Sequence, residues 1–455
     1  MSKVIDNIKN IKLVKTLANI WRIEDLRERI LITLLFVAIY RFGSYVVLPG
    51  IDTEALQGLK NQTEGGLMSL LDMFSGGAFS QASIFALGIM PYISASIVMQ
   101  LLGIAVPYFQ KMQREGESGR RKMSQYTRYL TVPILVFQGV FYLINLQTQT
   151  QGAALYSSLD WTTFFLYATI ILAAGSMFVL WLGERITDKG IGNGVSIIIM
   201  IGIIARFPTA VIQEFGSRLT AGQGGLVMFL VEIVLFLAVI AAAILLVQGV
   251  RQVPVNYAKK IAGARQIGGA RQYIPLKPYA ANVMPIIFAQ AIMFIPVTLA
   301  QFSGSKLNPV VNQLIDNNSF MYNLIFAILI ILFTYLYTAI TINPVQMAED
   351  MKRNNGFIPG IKPGKDTADY IDKIMSHITF PGSLFLALIA ILPAFAGIFG
   401  VQREFAAFFG GTSLLILVGV VLDTLMQIES HLMMRHYDGL MKSGKLKGRT
   451  TGSGY

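Results

Sequence analysis

The 455-residue chain contains no cysteine, which excludes both a disulfide framework and a thiolate metal site. Its three histidines, His377, His431 and His436, show no ligand spacing, and there is no P-loop or nucleophile elbow. No catalytic constellation, metal or cofactor is therefore expected. Charge is scarce as well. Asp, Glu, Lys and Arg make up 14% of the residues, against about 25% in an ordinary soluble domain. Residues 1–29 are polar and basic and lack the apolar core of a cleavable signal peptide, so none is expected.

What the chain has instead is apolar length: 54% of its residues are apolar and its mean hydropathy is +0.58. Runs of about twenty apolar residues, enough for a helix to cross a bilayer, recur along it. A β-barrel would show alternating segments of about ten residues, so the pattern reads as a polytopic α-helical membrane protein. Ten spans are expected at 30–48, 82–104, 129–146, 162–183, 195–212, 225–249, 279–300, 322–343, 378–399 and 411–430. The fifth is the weakest, being interrupted by Arg206 and Pro208. Charge supports it nonetheless. With ten spans and both ends cytoplasmic, 31 of the 37 Lys and Arg residues fall on the cytoplasmic side, and deleting the fifth span destroys that bias.

Ten spans divide into five and five at the loop around Gly216–Gly225. An odd number per half means that the halves, if related, are inverted, a plan that places a path at their interface. The stretch Ser83–Leu102 carries no charge, yet holds Gly88 and Pro91 in its middle. A span broken in this way is tolerated only where protein or a water-filled cavity satisfies the freed backbone groups. Just before it, Leu67–Phe79 is apolar but too short to span and ends at Gly76-Gly77.

Two loops stand out. Arg251–Lys277 has six basic residues and no acid, which suits either positive-inside topology or docking of an anionic partner. In Gly356–Thr367, two Pro-Gly pairs mark tight turns, and Phe357, Ile358 and Ile361 are apolar beside Lys362 and Lys365, which points to a partner site. The GIGNG run at Gly190–Gly194 follows a span rather than a strand and reads as a tight hairpin, not a nucleotide loop. Glu232 and Asp423, the acids noted inside spans, are assigned structural roles.

Four stretches together resemble the SecY family, the channel subunits of the bacterial Sec protein translocase. They are SIFALGIMPYISASIVMQLL from Ser83, WLGERITDKGIGNGVSIII from Trp181, EGESGRRKMSQYTRY from Glu115 and FGGTSLLILVGVVLD from Phe409. MFSGGA from Met73 and NPVQMAEDMKRNNGFIPGIKPG from Asn343 extend the similarity over essentially the whole chain. The resemblance implies an all-α fold of ten transmembrane helices, in two inverted five-helix halves around a central pore. It implies a plug, including Leu67, Leu70, Leu71, Met73, Phe74, Ser75, Gly76 and Gly77. It also implies a mid-membrane ring at Ile89, Ile93, Val195, Ile199, Ile287 and Ile416. Branched apolar side chains there form a dewetted constriction that closes the pore without binding the passing chain. Without the resemblance, those six residues would read as ordinary core or lipid-facing positions.

The same resemblance implies a lateral gate between the second and third spans and the seventh and eighth, with Gln100 and Gln290 placed to hold it shut. Partner docking falls to Arg251, Lys259, Lys260, Lys362 and Lys365. The expected partners are SecE, SecG, the SecA ATPase, the ribosome, unfolded preproteins and membrane lipids, at the plasma membrane. Four regions are expected. Residues 1–29 form an amphipathic cytoplasmic segment. Residues 30–215 form the first half, with the plug at 67–79. Residues 216–430 form the second half, with long loops at 251–277 and 344–374, and residues 431–455 form a basic tail. The function implied is a passive channel for unfolded secretory chains and membrane segments, not an enzyme. A secondary transporter of a small solute is the alternative that inverted repeats alone allow, and an insertase-like scaffold without a through-pore is the third.

Overall fold

The computed structural model describes residues 21, 23–52, 56, 72, 74–150, 155, 160–220, 225–257, 260–262, 265–267, 271–278, 284–290, 292–293 and 319–442. Its helices are α1 (Glu24–Ser44), α2 (Met90–Ala105), α3 (Pro107–Arg114), α4 (Glu117–Gln149), α5 (Trp161–Lys189), α6 (Gly194–Thr220) and α7 (Gly225–Gln248), then α8 (Phe320–Thr341), α9 (Pro344–Arg353), α10 (Lys365–Ile398), α11 (Arg403–Ala406) and α12 (Gly411–Lys442). A further helical stretch covers 284–290. Seven helices among the described residues are long and apolar enough to cross a membrane: α4, α5, α6, α7, α8, α10 and α12. An eighth follows if α2 and α3, bent by 100° at the Val106–Pro107 break, are one span. The first expected span coincides with α1, whose start is crowded with Glu24, Asp25, Arg27, Glu28 and Arg29. Most of the seventh lies outside the described residues.

Three expectations need correction. The second span is not helical from residue 82. Residues 75–89 run as successive turns, and α2 begins at Met90 with Pro91 in its first turn. Proline suits that position, because its missing N–H has no intrahelical partner there. The freed backbone is satisfied within the protein. Leu48 N–H donates to Ala82 O at 2.9 Å, Ile84 N–H to Val46 O at 2.9 Å and Gly88 N–H to Phe85 O at 2.8 Å.

The fifth span, by contrast, is not interrupted. α6 continues through Arg206 and Pro208 for 27 residues. The division placed at 215/216 therefore falls inside a helix, which ends at Thr220, before α7 begins at Gly225. Helices also outrun the expected spans at their loop ends: α10 begins at Lys365, and α12 continues to Lys442, inside the expected tail.

Packing follows the chain: α1 lies on α5, α4 on α2 and α5, and α5 on α6. α7 and α12 pack on α6, and α8 packs on α10. Outward faces are apolar, with Val227, Val234 and Leu245 of α7 each exposed by 65–73%, as lipid-facing residues must be. The two long loops meet in one sheet of order β4-β1-β5, with β1 (Arg251–Tyr257) antiparallel to β4 (Arg271–Leu276) and to β5 (Gly356–Phe357). A separate short hairpin pairs β2 (Lys260–Ala262) with β3 (Arg265–Ile267).

Candidate functional site

The six aliphatic positions singled out in the sequence come from four segments and converge on one region. Ile89, Ile199 and Ile416 are buried members of a single apolar cluster, and Ile93 and Val195 pack against it. Ile287 packs against a second cluster, which Ile93 also touches. A contiguous aliphatic constriction between those two clusters is what such residues can build.

Against the first of these clusters sits the turn segment that precedes α2. Phe74 packs on the same cluster as Ile89 and Ile416. Ser75 and the two glycines after it are buried. Leu67, Leu70, Leu71 and Met73 lie outside the described residues. Gly76 has φ +67°, and a Cβ there would come within 2.5 Å of Arg41 Nη1 and 3.0 Å of Gly202 Cα. A Cβ on Gly202 would in turn stand 2.7 Å from Phe74 O. Backbone therefore meets backbone, and glycine on both sides permits the approach.

Polar contacts complete the seat. Tyr40 Oη donates to Ser75 O at 3.2 Å, Arg41 Nη1 to Gly76 O at 3.0 Å and Tyr142 Oη to Phe79 O at 2.9 Å. Asp72, 1% exposed, accepts Ser80 N–H through Oδ1 at 2.7 Å and pairs with Arg206 Nη2 through Oδ2 at 2.6 Å.

Sequence reasoning missed the role of Asp72 and Arg206, and it missed a second ionic contact entirely. Glu214, Arg218 and Glu232 are buried together. Arg218 Nε donates to Glu214 Oε1 at 2.8 Å, while Nη2 reaches both Glu232 Oε1 and, at 3.0 Å, Gly400 O. Glu214 Oε2 accepts Gln402 N–H at 2.7 Å. Glu232 has the structural role expected of it, as one side of a buried network where its carboxylate needs the guanidinium. A signal was available. Only six Lys and Arg residues lie outside the basic segments, and Arg41, Arg206 and Arg218 are three of them.

The glutamine clasp expected at the lateral gate does not form. Gln100 Nε2 turns back to Ser96 Oγ of its own helix at 3.3 Å, and Gln290 is buried. No hydrogen bond joins the two glutamines among the described residues. Apolar contact takes over: Ile97 of α2 belongs to one cluster with Ile286, Phe288, Ala289 and Met293.

At the loop sheet, Val253, Val255, Leu276, Met351, Ile358, Ile371 and Met375 form a small core, with Ile361 packed on it. This corrects the reading of Ile358 and Ile361 as exposed docking residues; of that apolar trio only Phe357 is exposed. Lys362, Lys365 and Arg251 are exposed, Lys259 is outside the described residues, and Lys260 is on β2. Gly360 and Gly364, with φ +84° and +109°, supply the two turns around Lys362, whose carbonyl accepts from Thr367 Oγ1 at 2.8 Å. The GIGNG hairpin is as expected. It is tied down by Thr33 Oγ1, which accepts Ile191 N–H at 3.1 Å, and by Gln427 Oε1, which accepts Gly192 N–H at 2.9 Å.

Comparison with known proteins places the chain in a family. The sequence model of the SecY family matches residues 83–425. The protein translocase subunit SecY of Streptomyces scabiei is 42% identical over 444 residues, covering 93% of this chain and 99% of the relative. That of Aquifex aeolicus (strain VF5) is 40% identical over 426 residues, covering 93% and 98%. Among solved structures, one described as "The structure of a protein conducting channel" shares the fold with a TM-score of 0.58 at 17% identity, covering 89% of this chain and 92% of the other. Sec61 in a canine ribosome-channel complex from the endoplasmic reticulum gives 0.57 at 16%, with the same coverage. The structural likenesses carry the fold and the close sequence relatives carry the family: this multi-pass membrane protein belongs to the SecY family of protein translocase subunits.

Proposed function

We propose that this chain forms the gated pore through which unfolded secretory proteins leave the cytoplasm and hydrophobic segments pass sideways into the plasma membrane. Membership of the SecY family makes it a protein-conducting channel rather than an enzyme or a small-solute transporter. The observation that supports the gating reading best is the seat just described. Two aliphatic clusters that share Ile93, with the 74–80 turn packed against the first, support a resting pore closed twice over.

In this reading ten spans form two inverted halves, with both termini cytoplasmic. Ile89, Ile93, Val195, Ile199, Ile287 and Ile416 form the ring, and residues 67–79 form the plug. The lateral gate opens between α2 and α4 on one side and the seventh and eighth spans on the other. SecE and SecG complete the membrane complex. SecA or the ribosome docks on the two long loops at Arg251, Lys259, Lys260, Lys362 and Lys365 and supplies direction, as the ribosome-bound channels among the structural neighbours suggest.

The test is reconstitution of the purified chain with a SecE subunit in vesicles, with SecA, ATP and a preprotein supplied. Protease-protected preprotein inside the vesicles is the expected result. Vesicles that accumulate small solutes but protect no preprotein would overturn the reading.

A further inference from the structure

The Asp72–Arg206 pair crosses between the turn segment and α6, at 2.6 Å, and is independent of the larger Glu214–Arg218–Glu232 network. We propose that this pair is a releasable latch that sets the closed position of the plug, and with it the signal-sequence hydrophobicity needed to open the channel. The proposal rests on reading residues 67–79 as the plug.

Three features of the geometry carry it. First, Asp72 is the hub of its own segment. Its Oδ1 takes Ser80 N–H, its carbonyl takes Gly77 N–H at 2.8 Å and Ser75 Oγ at 3.0 Å, and Ser75 Oγ in turn takes Phe79 N–H at 3.0 Å. Asp72, Ser75, Gly77, Phe79 and Ser80 are therefore tied into one unit, and Asp72 Oδ2 is the carboxylate oxygen that holds this unit to α6.

Second, Ile199, Gly202 and Arg206 follow at three and four residues along α6 and so share one face. That face bears, in order, a constriction residue, the glycine touched by Phe74 O and the cation for Asp72. Seating the plug and closing the constriction are thus one register.

Third, the pair is built to part. The Arg206 side chain is 19% exposed, so water can rehydrate its guanidinium when Asp72 leaves. The other bonds to the segment, from Tyr40, Arg41 and Tyr142, go to neutral carbonyls and cost less to exchange for water.

The test uses the full chain reconstituted with its membrane partner, read by ion leak and by transport of a preprotein with a shortened hydrophobic signal. Asp72→Asn is nearly isosteric and keeps the Oδ1 acceptor for Ser80, and Arg206→Gln removes the cation. Each should raise leak on the order of tenfold, between the effects of losing a surface and a buried pair, and should admit the weaker signal. The exchange Asp72→Arg with Arg206→Asp should bring leak back toward the parent. Deleting Leu67–Phe74 should itself leak, and adding Arg206→Gln to that deletion should change nothing more. Unchanged leak and selectivity in Asp72→Asn overturn the latch. So does a further rise when Arg206→Gln is added to the deletion, which leaves the plug reading intact. A deletion that stays tight overturns the plug reading itself and the latch with it.

Discussion

α6 carries two ionic contacts, twelve residues or about 18 Å apart along the helix, and they differ in kind. At Arg206 one guanidinium, its side chain 19% exposed, meets one carboxylate on a short turn segment. At Arg218 one guanidinium is shared by Glu214 and Glu232 and also holds Gly400 O, with all three side chains shut away from solvent. The network joins α6 to α7 and, through Gly400 and Gln402, to the connection between α10 and α11. Breaking one bond there strands a charge among apolar neighbours, whereas breaking the pair at Arg206 releases a charge that water can reach. The same chemistry thus makes a fixed joint at one end of the helix and a movable one further in. The loop sheet belongs with the fixed contacts, since Val253, Val255 and Ile358 close a small dry core. The constriction proposed above belongs with the movable ones, because aliphatic contacts carry no directional bond to re-form.

Substitutions can sharpen or break that division. The largest effect is expected from Arg218→Met, which leaves Glu214 and Glu232 facing each other without a cation. A loss of about 3–5 kcal/mol is expected, read as a lower thermal transition of the purified protein in detergent. Arg206→Gln should lower that transition less, because the turn segment can unseat and carry Asp72 to water; equal losses from the two would erase the distinction drawn here.

Next in size is Ile358→Ala, which hollows the core beneath the loop sheet at a cost of about 2–5 kcal/mol to that unit. Faster proteolysis of the 251–277 and 344–364 loops is expected, while ion leak stays at the parent level. A leaky Ile358→Ala channel would mean that sheet and pore are one cooperative unit.

Smaller in stability but large in gating is Ile416→Asn. A polar side chain in the constriction lets water persist and lowers the barrier to the open pore. Transport of weakly hydrophobic signals and ion conductance should both rise, with the fold intact. Unaltered gating would remove Ile416 from the ring.

The smallest structural effect belongs to Lys362→Glu, an exposed change expected to shift stability by no more than about 0.5 kcal/mol. It should nonetheless weaken binding of SecA or the ribosome and slow transport. Lys362→Arg should be tolerated, because a guanidinium can make the same contact and add a bidentate one. Normal partner affinity in Lys362→Glu would shift docking to the Arg251 strand.

Much of the molecule was legible in the chain. Apolar length marked α4 to α8, α10 and α12, since a helix that must cross lipid needs about twenty apolar residues whatever its neighbours. Gly88 and Pro91 announced a broken span, because each restricts or frees the backbone locally. The GIGNG turn was readable for the same reason. Where local signals misled, a distant partner had changed the cost. Arg206 and Pro208 made the fifth span look the weakest, yet α6 runs through them unbroken, with Asp72, 134 positions earlier in the chain, neutralising the charge. Ile358 looked like an exposed anchor, because nothing near it in sequence shows that β1 and β4 will cover it.

The sequence by itself therefore determined that this is a helical membrane protein, roughly where it crosses and which short segments cannot be regular helix. These are consequences of transfer energy and backbone freedom, which each residue carries with it. Only the tertiary structure decided which charges meet, which glycines face each other and which loop residues are covered. Asp72 with Arg206, Gly76 with Gly202 and Glu232 with Arg218 are pairings between segments whose separation along the chain says nothing about their distance in space. Their energies depend on geometry and on access to water, and both exist only once the helices have packed.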